Sequence, residues 1–209
     1  MELLEYEHVK DNATTHRLID AIVELVNEKS IDSITTTEIA NRAGINRATF
    51  YSYFSDKYAL IKYVYYHAVK DMDEMFKRYD TFIYSSKHIK KALSTTGQFL
   101  AKALESSGDH SLASFISYYW IKFNKQFYKD ETGEETVPDD LTMSIEMWVY
   151  GLVAEMRSVS RASDETKRKN YEKLQLVHAP KEIRKLLIKN SLKAGFTLSD
   201  LGVKPDEIA

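Results

Sequence analysis

Cysteine is absent from the 209 residues. That removes disulfides, thiolate nucleophiles and cysteine-ligated zinc, and it fits a reducing compartment. Turn formers are scarce: 7 glycines and 3 prolines leave few breaks, which favours long helices over many short strands. No segment approaches the ~18 uninterrupted apolar residues of a spanning helix. The opening MELLEYEHVKDN is acidic and lacks the basic start and apolar run of a secretory signal. These readings predict a soluble, cytoplasmic chain without a membrane partner. A positive balance is missing too. The net charge is −2, which by itself does not suggest nucleic acid.

Catalytic signatures are equally sparse. The six histidines (8, 16, 67, 88, 110, 178) show no HExxH or other short metal spacing. No GxSxG, phosphate-binding loop or dinucleotide fingerprint is present. The acidic pairs Asp71/Asp73 and Asp139/Asp140 read as helix surface and cap. No enzyme activity, cofactor or metal is therefore expected.

What the sequence does contain is helical periodicity with caps. Thr14 or Thr15 can start a helix through about Lys29 with Leu18, Ile22, Leu25 and Val26 on one face. Ser30 to Ser33 breaks it. Thr35, Thr36 or Thr37 caps a second helix through Ala43, and Thr35 with Glu38 has capping-box spacing. Gly44 stands where a left-handed residue commonly ends a helix. Asn46 caps a third helix holding Phe50 and Phe54 at i, i+4. Ser55-Asp56 offers the next cap, before a long helix from Lys57 towards Tyr79. Further helical patterns span 87–106, 110–129, 139–160, 164–177 and 180–194, with Pro180 suited to the first turn of the last and a short final helix possible from Pro205.

The stretch from Thr35 to Leu60 carries the main signal. Two short helices meeting at Gly44 fit a helix-turn-helix, whose second helix can enter the major groove. Arg47 is the best reader of a base, since arginine can bridge O6 and N7 of guanine. Thr49 suits a thymine methyl or a phosphate, and Tyr53 the groove wall. Tyr51 offers a phenol to a phosphate oxygen, Thr36 or Thr37 a backbone contact, and Lys57 an ammonium beside helix N-terminal amides. Asn46 and Ala48 complete the set, the alanine keeping bulk low near the duplex. Between Thr35 and Lys62, Arg42, Arg47, Lys57 and Lys62 face Glu38 and Asp56, a local balance of +2. A single head should bind weakly, so that a pair is needed.

The residues EIANRAGINRATFYSYFSDKYALI, with Ala43, Gly44, Ile45, Asn46, Thr49, Tyr51, Phe54, Lys57 and Leu60 in framework positions, resemble the TetR family of bacterial transcriptional regulators. The resemblance covers roughly Thr15 to Val64. Two positions depart from the common pattern: Ser30, where glycine is frequent, and Asn46, where serine is. The resemblance implies an all-α protein of about nine helices: an acidic extension (1–12), a three-helix DNA-binding domain (13–56) and a larger helical ligand-binding and dimerisation domain (57–209).

By the same resemblance the body should hold a small-molecule pocket and a dimer interface. Two aromatic-rich segments, around Phe115 to Tyr128 and Met143 to Tyr150, fit either an apolar pocket or ordinary core. His67, Phe115, Tyr119, Phe123, Met147 and Trp148 are the pocket candidates, for an apolar or aromatic effector. Between Arg161 and Lys193 ten cations face four anions, a second anionic contact or solvated helix faces. The apolar stripe threaded through it, with Leu174, Ile183 and Leu187, is the expected homodimer interface. The implied function is a homodimeric repressor released from a pseudo-palindromic double-stranded DNA operator by an effector. The alternative is a co-activator or adaptor of the same fold, working through protein contacts without a small ligand.

Overall fold

Every regular element is helical among the residues that the computed structural model describes, namely 6, 9–67, 98–106, 110–161 and 175–204. The chain divides into two compact units, residues 1–70 with 92–115 and residues 71–91 with 116–209.

In the first unit, α1 (Ala13–Glu28) buries Leu18, Ala21, Ile22, Leu25 and Val26, the stripe expected of an amphipathic helix. Its cap is Asn12 rather than Thr14 or Thr15. The Asn12 side chain accepts from the amides of Thr14 and Thr15 at 2.9 and 3.1 Å. Thr15 is buried, and its hydroxyl donates to the Lys10 carbonyl at 2.5 Å. A 3-10 turn (Ile31–Ser33) buries Ile31 and leads to buried Ile34.

Next comes α2 (Thr36–Arg42), opened by the reciprocal Thr35–Glu38 capping box. It closes in a Schellman turn: the Ile45 amide donates to the Ala40 carbonyl at 3.0 Å and the Gly44 amide to Asn41 at 3.1 Å. That turn needs the left-handed backbone of Gly44, φ +65°. A methyl group at Gly44 would meet only Arg17, at an ordinary 3.8 Å, so dihedral strain and not crowding selects glycine.

α3 (Arg47–Tyr53) is capped by Asn46, whose side chain accepts from the Thr49 amide at 2.7 Å. Residues 57–67 form α4, started by Asp56 accepting from the Ala59 amide at 2.8 Å. The remainder of the helix expected to Tyr79 lies outside the described residues. α5 (Gln98–Ala103) packs on α1, and Lys102 donates to the Asn27 carbonyl at 2.7 Å. Of the pattern at 87–106, the residues before 98 are likewise outside the described set.

α6 (Leu112–Thr132) runs three residues beyond the expected end, stopped by left-handed Gly133, φ +76°. From Ile116 onward it belongs to the second unit. There α7 (Asp139–Arg161) buries Leu141, Ile145, Val149, Val153 and Met156, and Lys125 of α6 reaches Glu146 of α7 at 3.1 Å. A helical turn at 175–177 is the described part of the pattern expected over 164–177. α8 (Lys181–Lys193) follows with Pro180 at its cap. The short last helix, α9 (Leu198–Leu201), starts at Thr197 through a second capping box with Asp200. The short helix expected from Pro205 lies outside the described residues. The Thr-x-x-Asp spacing of 197–200 was the local signal for α9. None of the helices described is long and apolar enough to cross a membrane.

Candidate nucleic-acid interface

The third helix is anchored on one side and exposed on the other. Phe50 and Phe54 are buried, one helical turn apart, and Phe54 packs on Tyr63 of α4 with ring centroids 5.2 Å apart. Burial of two phenyl rings at this spacing stabilises the head by several kcal/mol, at roughly 1.5–3 kcal/mol each. It also fixes which residues of α3 face outward: Arg47, Ala48, Tyr51 and Ser52 are exposed, and Thr49 is half-buried.

Arg47, Tyr51 and Thr36 form one polar surface across α3 and the start of α2. The Arg47 guanidinium donates to the Tyr51 oxygen from Nε at 3.3 Å and Nη2 at 3.0 Å. Tyr51 Oη lies 3.2 Å from Thr36 Oγ1. The Thr36 hydroxyl, and then Arg47, hold the Tyr51 phenol below its ordinary pKa. Arg47 thus lies exposed on α3 with its guanidinium resting on the Tyr51 phenol. Thr37 is exposed next to Thr36. Tyr53 is half-buried, and its oxygen accepts from the Asn12 side-chain amide at 3.2 Å, which ties the end of α3 to the cap of α1.

Lys57, expected at a phosphate, is engaged within the head. Its ammonium donates to the carbonyls of Ile31, Asp32 and Ile34 at 2.8, 3.0 and 2.9 Å. A lysine has three N–H donors, and all are engaged. It ties the 3-10 turn to the start of α4.

Two more of the cations counted in the motif are held within the head. Arg42 pairs with Glu28 at 2.8 Å and with Glu24 at 3.0 Å, holding α2 to α1. Those carboxylates, Glu28 first, raise its pKa further, while Arg42 lowers that of Glu28. Lys62 is buried, 6.0 Å from the centroid of the Phe115 ring. Of the four cations behind the local +2, Arg47 is the one displayed by α3. Arg17, exposed on α1 and close to Gly44, is a cation at the turn that spacing within the motif could not reveal.

The body candidates are distributed between the units. In the first, Phe115 is buried and meets Tyr6 and Tyr65 edge-on at 6.0 and 6.4 Å, and His67 lies 5.9 Å from Tyr63. In the second, Tyr119, Trp120 and Phe123 form a ring cluster at 5.2–6.2 Å. The Trp148 indole donates to the Gln175 carbonyl at 3.1 Å. Met147 is 70 % exposed and so lines no interior of a single chain. Ile183 and Leu187, expected at a dimer interface, are buried within their own chain, and Leu174 lies outside the described residues. The apolar surface that α7 leaves open is instead Met143, Met147 and Tyr150, 63, 70 and 58 % exposed.

Residues 18–64 match the model for bacterial regulatory proteins of the tetR family. A curated relative, the uncharacterised HTH-type transcriptional regulator YvdT of Bacillus subtilis (strain 168), is 40% identical over 45 residues. That match spans 22% of this chain and 23% of the relative's length. The crystal structure of a TetR transcriptional regulator from Rhodococcus sp. RHA1 is similar in fold, with a TM-score of 0.54 at 18% identity. That similarity covers 79% of this chain and 95% of the other.

Proposed function

Because the chain belongs, through its head, to the tetR family of bacterial regulatory proteins, we propose that it is a DNA-binding transcriptional regulator in which α3 enters the major groove. Arg47 reads a base edge there, and Tyr51 and Thr36 hold the phosphate backbone. The observation that carries this reading is the exposed Arg47–Tyr51–Thr36 surface on a helix fixed from behind by buried Phe50 and Phe54. The amides at the start of α4 add a phosphate contact.

The regulator acts as a homodimer on a pseudo-palindrome, with recognition helices about 34–36 Å apart. The second copy packs on α7 along Met143, Met147 and Tyr150. Their i, i+4, i+7 spacing lines one face, and their exposure supports this helix over the buried stripe of α8. It represses transcription until an effector shifts the dimer to a state with different head spacing, which requires unequal affinity for the two states. Asn190 supports a body ligand: its side chain is buried, and neither its oxygen nor its nitrogen has a hydrogen-bond partner among the described residues. An apolar or aromatic effector carrying one amide-like group would satisfy it.

The test is a mobility-shift and footprinting assay of full-length protein against fragments flanking its own gene at low salt. A protected pseudo-palindrome supports the proposal. Failure to bind any fragment would favour the adaptor reading.

A further inference from the structure

The fold joins three chemistry-bearing side chains that are far apart in sequence. Asp11 precedes the cap of α1, His16 lies in its first turn, and His67 lies on α4. One carboxylate oxygen of Asp11 is 2.5 Å from His16 Nε2, and the other is 3.5 Å from His67 Nε2. The imidazole rings stand at 75° with centroids 5.8 Å apart. One ligand atom from each residue lies within 4.8 Å of the others.

We propose that Asp11, His16 and His67 form a binding site for a divalent transition metal ion of the Zn2+ type, which clamps the start of α1 to α4. Two imidazoles and one carboxylate make up a donor set that zinc favours. Bond lengths of about 2.0–2.2 Å in a tetrahedron place ligand atoms roughly 3.3 Å apart. The two Asp11–His separations, 2.5 and 3.5 Å to its two oxygens, bracket that value, and with every pair within 4.8 Å side-chain rotations can bring the three into a coordination shell. Three protein ligands leave a fourth position for water.

The framework is already in place. Lys10 and Asn12, on either side of Asp11, are both fixed to α1, the first by the Thr15 hydroxyl and the second by its capping bonds. Both histidines sit on helices, and all three side chains retain solvent access, which gives an ion an entry path. Metal binding would cross-link the start of α1 to α4 through ligands that coordinate in their deprotonated forms.

The test needs no DNA, so its outcome is independent of the proposed operator binding. Tag-free full-length protein would be titrated with Zn2+ by calorimetry and with Co2+ by visible absorption, alongside His16→Gln, His67→Gln and Asp11→Asn. Circular dichroism would confirm that each variant folds. The expected result is one Zn2+ per chain, resistant to competition by Mg2+, which prefers oxygen ligands. Each variant should weaken binding by more than the roughly 10–100-fold that a change outside the coordination shell costs. Zn2+ should raise the melting temperature of the parent protein and not of His16→Gln/His67→Gln. Absence of Zn2+ binding by the parent, or unchanged binding by the double variant, would overturn the assignment.

Discussion

Lys57 shows how a single side chain can have the right type for one role and the geometry for another. At the start of α4 it sits where a cation suits a phosphate, yet its three donors are spent on the carbonyls of Ile31, Asp32 and Ile34. Lys57→Ala should lower the stability of the protein by about 1–3 kcal/mol, since bonds from a charged donor are lost. It should leave operator affinity nearly unchanged under conditions where the variant is folded. Denaturant titration beside an anisotropy titration separates the two effects, and a pure affinity loss would return Lys57 to the phosphate. Asn190 presents the converse case, a buried polar group with no partner among the described residues. Asn190→Leu should raise the denaturation midpoint, because an unsatisfied buried amide costs about 1–3 kcal/mol. The same variant should blunt the response to the effector, and a lowered midpoint would contradict this reading.

At the scale of elements, the head is assembled from short motifs whose residues lie within five positions of one another. For that reason much of it is legible in the sequence: the Thr35–Glu38 box, the left-handed Gly44 and the Asn46 cap all stand where spacing put them. Where several neighbours could do one job, spacing misled: it points to Thr14 or Thr15 as the cap of α1, and the cap is Asn12, the residue with extended backbone before the first turn. Long-range partnerships left no such trace. Arg42 reaches carboxylates on α1, Lys57 reaches back across the 3-10 turn, and the Asp11–His16–His67 cluster spans most of the head. Glu38 adds a pH dependence to the box. The Lys29 ammonium first, then the Thr35 amide and hydroxyl, lower its pKa from 4.5 to about 2. A depressed carboxylate stabilises the fold fully above its unfolded pKa and ceases to do so as pH falls through the folded one. Melting temperatures should therefore fall between about pH 4.5 and 2, and Glu38→Gln should flatten that part of the profile. An unaltered profile would show that the box contributes nothing to stability in acid.

For the whole molecule, the distribution of apolar surface decides how two copies can meet. The dimer stripe was expected through Leu174, Ile183 and Leu187, and the segment from Met143 to Tyr150 as pocket or core, because periodicity alone could not tell which face its own chain covers. Ile183 and Leu187 are buried at home, and Met143 and Met147 are open. Met147→Glu should therefore shift the protein from dimer to monomer at micromolar concentration, because a charge would have to be desolvated in the contact. Sedimentation velocity reads this directly, and a dimer of undiminished stability would place the interface elsewhere. Since a single head displays few cations, loss of the dimer should also abolish detectable operator binding.

On the proposed function, α3 reads DNA through Arg47. Its most direct test is a fluorescence anisotropy titration of the parent protein and Arg47→Ala against the footprinted operator and a scrambled duplex at fixed salt. Arg47→Ala should lose about 1–3 kcal/mol on the operator and relax preference at one base pair, with a much smaller loss on the scrambled duplex. Equal affinity of the two proteins for the operator would remove Arg47 from base reading.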